Sequence, residues 1–203
     1  MTARWRLILF DMGGVVIDCE TDRLIHQAAQ LLGRSFDDVA RAVYDPVLLR
    51  AFEVGSISPE GYYDGLKRAL GIGWTYTQFV RIWNDMLRER PIVPEIIRRL
   101  HGRYRLAALT NTNVLHLAHL KTGFEALRLL DDWIASCEVG ACKPEPKIYQ
   151  AALERAGVGP EEAVYVDDRP ELVDAGRRLG LTAIRCESPA QLEADFIKLG
   201  LLP

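Results

Sequence analysis

The sequence predicts an α/β fold: a parallel sheet flanked by helices and interrupted once by an all-helical insert. Three observations predict it. First, five apolar runs have the length of buried strands: Leu7–Phe10, Leu106–Leu109, Trp133–Ala135, Ala163–Val166 and Thr182–Ile184. Second, helical patterns alternate with them, over Pro94–Arg103, Lys147–Ala156 and Pro170–Leu179. Strand–helix alternation of this kind builds a parallel sheet covered on both faces. Third, the alternation stops between about Thr21 and Glu89, where no strand pattern is expected.

The elements follow in order. Leu7–Phe10 is the first strand, and it ends at Asp11. Four apolar residues are too few for a signal core or a membrane span. In the insert, Leu24, Ala28 and Leu31-Leu32 keep helical spacing, as do Leu66, Leu70 and Phe79–Leu87. Gly33, Pro46, Gly55, Pro59 and Gly71-Ile72-Gly73 divide it into four or five helices. The chain returns to the sheet near Pro91–Pro94. The expected units are 1–17 with 91–203 as the core, and 18–90 as the insert.

Composition narrows the function. Of 203 residues, 49% are hydrophobic and 26% charged, with a formal net charge of -3, the balance of an ordinary soluble domain. No basic excess points to nucleic acid or to an anionic membrane. The four cysteines, Cys19, Cys137, Cys142 and Cys186, lack metal-type spacing and read as reduced thiols of a cytoplasmic protein.

Chemistry collects where three of the strands end. Ligands of open α/β sheets bind outside the carboxyl ends of the strands. Asp11 precedes Met12-Gly13-Gly14, whose glycines allow a tight turn and a close backbone approach. It is either a covalent nucleophile or a turn acid. Asp167-Asp168 is either a site for a hard divalent cation or a solvated helix start. Thr110-Asn111-Thr112-Asn113 is either an anion cradle or a helix cap. Lys143 is either a site cation or a loop lysine. His116 and His119, at helical spacing, are expected to be exposed.

Taken together, these segments resemble the haloacid dehalogenase (HAD) superfamily. Phe10–Asp18 is similar to its first motif and Leu109–Thr112 to its second. Lys143–Tyr149 resembles the third, and Val164–Asp168 the fourth. Phe52–Ser58 resembles a segment common in the helical caps of that family. The resemblance implies a Rossmann-like core with a helical cap. It also implies a Mg²⁺-dependent phosphomonoesterase acting on a small phosphate ester. Asp11 would be the nucleophile and Lys143 its charge-neutralising partner. Thr110, Asn111 and Gly14 would hold substrate. Asp11, the Gly13 carbonyl, Asp168 and Asp167 would bind Mg²⁺. Candidate pocket residues from the insert are Cys19, Glu20, Arg23, Arg50 and Phe52.

One position departs from the family pattern. Phosphatases of this kind usually carry a general-acid aspartate two residues after the nucleophile, where this chain has Gly13. That glycine resembles the one in some sugar-phosphate phosphatases. Turnover should then depend steeply on leaving-group pKa, unless another carboxyl substitutes; Asp18 and Glu20 are nearest in sequence. The alternatives are a catalytically weak binding or regulatory protein, and a metal-independent dehalogenase.

Overall fold

The computed structural model describes residues 4–90 and 92–203. Pro91, at the expected return to the core, lies outside the described residues.

In chain order the elements begin with β1 (Leu7–Phe10), β2 (Ile17–Cys19) and α1 (Thr21–Leu32). The insert continues with α2 (Phe36–Val43), α3 (Pro46–Glu53), α4 (Pro59–Leu70) and α5 (Tyr76–Asn84). Next come β3 (Leu87–Glu89), α6 (Val93–Leu100), β4 (Arg105–Thr110), α7 (Val114–Gly123) and β5 (Asp132–Ala135). Then follow α8 (Ser136–Val139), α9 (Pro146–Ala156), β6 (Ala163–Asp167), α10 (Pro170–Arg178), β7 (Thr182–Arg185) and α11 (Pro189–Lys198). All five expected strands are present.

The main sheet is parallel, in the order β5-β4-β1-β6-β7. Strand β1 is central because both faces of its short apolar run are buried. Ile8 and Phe10 pack with Ile96, Leu192 and Phe196, while Leu7 and Leu9 pack with Ile148, Tyr149 and Val173 on the other side. A strand covered on both faces reads as continuous hydrophobicity rather than alternation. The ends of β1, β4 and β6 adjoin one another, so Asp11, Thr110 and Asp167 share one edge.

The insert holds five helices, and side-chain caps start four of them. Ser35 and Ser58 accept from Asp38 N and Gly61 N, Asp45 accepts from Val47 N and Leu48 N, and Thr75 forms a capping box with Gln78. Pro46 and Pro59 occupy the first turns of α3 and α4. An aromatic stack fills the interior, with Phe52 4.4 Å from Tyr62 and Tyr62 5.3 Å from Trp83. Phe52, expected at the pocket, is a fully buried packing residue instead.

Two expectations need correction. The stretch without strands contains β3, which pairs antiparallel with β2 in the register Ile17↔Glu89, Asp18↔Arg88 and Cys19↔Leu87. Three residues are too few to print a period-2 pattern; the ribbon exists because the chain leaves and re-enters the core at the same place. His116 is buried rather than exposed. Its ring stacks on Trp83 at 5.2 Å, and its Nε2 lies 3.2 Å from the Trp83 carbonyl, docking the insert on α7.

Candidate active site

A cavity of about 360 Å³ opens at the strand ends, lined by Asp11, Gly13, Thr110, Asn111, Lys143 and Asp168 among others. Asp11 is placed by the turn after β1. The Met12 carbonyl accepts from the N–H groups of Val15, Val16 and Ile17, which folds this loop tightly. Gly14 has φ +74°, and a Cβ there would lie 2.2 Å from Asp168 Oδ2. Only glycine lets the loop pass this close to the carboxylate. The Gly13 carbonyl accepts no hydrogen bond among the described residues.

Lys143 is the electrostatic centre. Its Nζ lies 2.8 Å from Asp11 Oδ1 and 2.7 Å from Asp167 Oδ2, and its side chain is 1% exposed. Burial alone would lower the ammonium pKa, but the two carboxylates outweigh it and hold the pKa above its ordinary value. Burial pushes the Asp11 carboxyl up to about 6, against the opposing pull of Lys143. Burial, followed by the neighbouring Asp167, raises Asp168.

Asn111, just after β4, fixes the lysine. Its Oδ1 accepts from Lys143 N at 2.7 Å, and its Nδ2 donates to the Lys143 carbonyl at 2.9 Å. The side chain of Asn111 is therefore engaged on both polar atoms. The Thr110 hydroxyl, by contrast, has no partner among the described residues. The Asn113 side chain is a cap, accepting from Leu115 N and His116 N. Asp167 is fully buried and accepts from Lys143, from the Tyr165 hydroxyl and from Arg169 N.

The carboxylates of Asp11, Asp167 and Asp168 each offer an oxygen within 4.8 Å of the others. Carboxylates beside an unpaired carbonyl form a hard oxygen donor set, the kind that suits Mg²⁺. The residues present fit that ion.

Of the insert residues expected here, Cys19 lines the cavity. Glu20 pairs with Arg23, Arg50 pairs with Glu145, and none of these lines it. Asp18 pairs with Arg90, which also donates to the Gly14 carbonyl. Glu53, at the end of α3, lines the cavity and was missed. Its signal lay within Phe52–Ser58: a carboxylate next to a core phenylalanine and two residues before a glycine.

The sequence of residues 5–180 matches the family model for haloacid dehalogenase-like hydrolases. The chain is 26% identical over 197 residues to D-ribitol-5-phosphate phosphatase of Bacteroides thetaiotaomicron, covering 93% of this chain and 95% of that protein. It is 25% identical over 190 residues to phosphorylated carbohydrates phosphatase of Thermotoga maritima, covering 87% and 82%. A HAD family enzyme of Bacteroides thetaiotaomicron, solved in complex with magnesium and inorganic phosphate, matches with a TM-score of 0.81 at 25% identity, over 93% of this chain and 98% of that one. With the family model spanning both the insert and four of the five parallel strands, this chain belongs to the haloacid dehalogenase-like hydrolases.

Proposed function

We propose that the chain is a Mg²⁺-dependent phosphomonoesterase for a small phosphorylated metabolite of the sugar or polyol class. The observation that carries this reading is Asp11, buried beside the Lys143 ammonium and within reach of Asp168. Two relatives named for phosphorylated carbohydrates or a polyol phosphate support the substrate class.

In this reading Asp11 Oδ attacks phosphorus, the bond to the leaving oxygen breaks, and an aspartyl phosphate results. Water then attacks that phosphorus and releases the Asp11 carboxylate. Lys143 keeps Asp11 ionised near neutral pH and neutralises charge on the phosphoryl group. The Thr110 hydroxyl, the Asn111 backbone N–H and the loop at Gly14 hold the phosphoryl oxygens, while the Asn111 side chain keeps Lys143 in place. Asp11, Asp168 and the Gly13 carbonyl would hold Mg²⁺, with Asp167 chiefly orienting Lys143. The bound ion would supply charge neutralisation for the transferring phosphoryl group. Residues 1–17 and 91–203 are the catalytic unit, and 18–90 is a cap joined to it through the β2–β3 ribbon.

A screen of phosphorylated sugars, polyols and p-nitrophenyl phosphate, with and without Mg²⁺, tests this. Hydrolysis should require the ion and vanish in Asp11→Asn, because an amide cannot form the acyl phosphate. Metal-independent turnover, or full activity in Asp11→Asn, refutes it. Release of halide from a haloacid without metal would favour the dehalogenase reading instead.

A further inference from the structure

We propose that Glu53, from the helical insert, supplies the leaving-group proton that Gly13 cannot. This rests on the phosphatase reading above.

Titratable groups from both the core and the insert line the cavity. Asp11 is the nucleophile, and Asp168 faces the metal position. Lys143 is held between Asp11 and Asp167. His116 has both ring nitrogens engaged, by Asn113 and by the Trp83 carbonyl. Arg169 is paired with Glu171 and stays charged. The Cys19 thiol is pushed up to about 11 by burial and then by the nearby carboxylates, too weak an acid to compete. Glu53 remains. Its carboxylate has no hydrogen bond or ion pair among the described residues, and burial raises its pKa against the pull of Arg50 and Arg169. That shift runs in the direction a general acid needs.

Its placement is built. The Glu53 carbonyl accepts from the Ser136 hydroxyl at 2.6 Å, and the same Ser136 oxygen accepts from Thr112 N at 2.8 Å. Glu53 is thereby tied to the loop that follows Thr110. Two residues on, Gly55 has φ +71°, and a Cβ there would meet the Cys137 carbonyl oxygen at 2.3 Å. The end of α3 is thus held against the core. Cys19 Sγ lies 3.4 Å from where a side chain at Gly13 would begin, so a thiol stands beside the position that lacks the acid.

As the phosphorus–oxygen ester bond breaks, its electron pair stays on the leaving oxygen, which takes the Glu53 proton. The Glu53 carboxylate then takes a proton from water as that water attacks the aspartyl phosphate. Asp11 leaves as carboxylate, phosphate departs and Glu53 is protonated again.

The test is kcat/KM for the full chain with Mg²⁺ across alkyl and aryl phosphates, in wild type and Glu53→Gln. This ratio reports steps up to the first ester cleavage. Alkyl esters should lose about 10²–10⁴-fold and p-nitrophenyl phosphate only a few-fold, because a phenolate leaves without a proton. Glu53→Asp should recover part of the alkyl loss. With p-nitrophenyl phosphate, Glu53→Gln should also give a burst of nitrophenolate followed by slow turnover. Equal loss on both ester classes, or no loss on either, overturns the assignment while leaving the phosphatase reading intact. A wild type without Mg²⁺-dependent hydrolysis of any ester overturns both.

Discussion

Replacing Lys143 by methionine removes the one cation held between Asp11 and Asp167 while roughly preserving side-chain volume. The two carboxylate side chains it serves are 11% and 0% exposed, and they face each other across its ammonium. Breaking a buried ion pair by deleting one partner costs about 3–5 kcal/mol. For a chain of this size each kcal/mol moves Tm by about 2–4 °C, so Tm should fall by roughly 6–20 °C at neutral pH without metal. The sign of the pH dependence follows from Asp11. Its folded pKa is already raised to about 6 and rises further without Lys143. A carboxyl raised in the folded state contributes stability below its ordinary pKa and loses it as pH climbs through the folded value. The deficit of Lys143→Met should therefore be small near pH 5 and grow toward pH 8. Lysine itself stays charged over that window. Thermal melts followed by circular dichroism in chelator, at both ends of the window, read this out. Equal melting temperatures at pH 8, or a deficit that shrinks as pH rises, would refute the reasoning.

The remaining predictions concern neighbouring parts of the same site. Asp168→Ala should abolish both Mg²⁺-dependent hydrolysis and the rise in Tm that Mg²⁺ gives the wild type; a preserved Tm response would remove Asp168 from the metal site. Gly14→Ala, with its Cβ 2.2 Å from Asp168 Oδ2 and a left-handed φ, should cost about 1–3 kcal/mol and the same metal response, measured by urea denaturation with and without Mg²⁺. His116 is lowered from 6.5 to about 4 by burial, so it contributes stability above pH 6.5 that is lost toward pH 4. His116→Gln should remove roughly 3 kcal/mol of that acid-side slope, seen as convergence of the two proteins' stabilities on acidification. Gly13 lacks a positive φ and its Cβ position is only 3.4 Å from a thiol, so Gly13→Asp should fold. Placed in Glu53→Gln, it should restore alkyl ester hydrolysis, measured as kcat/KM.

The positions of Asp11, Thr110 and Asp167 along the chain were legible without coordinates. Strands buried on both faces print as uninterrupted apolar runs, and a parallel sheet gathers the residues at their carboxyl ends. Glycine at 13 and 14 was legible for a similar reason, since glycine before a site marks a close backbone approach. The roles within the cluster were not. Asn111 reads in sequence as a substrate donor, yet its amide closes on the backbone of Lys143, 32 residues away. The sequence placed the substitute acids at Asp18 and Glu20 because they are near in number, but arginines pair with both, and Glu53 reaches the cavity from another helix. His116 looked exposed because its helix carries no distinct apolar face; the insert that buries it arrives through Trp83, 33 residues earlier. The sequence by itself determined the chain order of the five parallel strands and which residues stand at their ends, because these follow from local periodicity and chain direction. Only the tertiary structure decided which polar groups are engaged and which face the cavity free, because hydrogen bonding and burial are settled between segments distant in the chain.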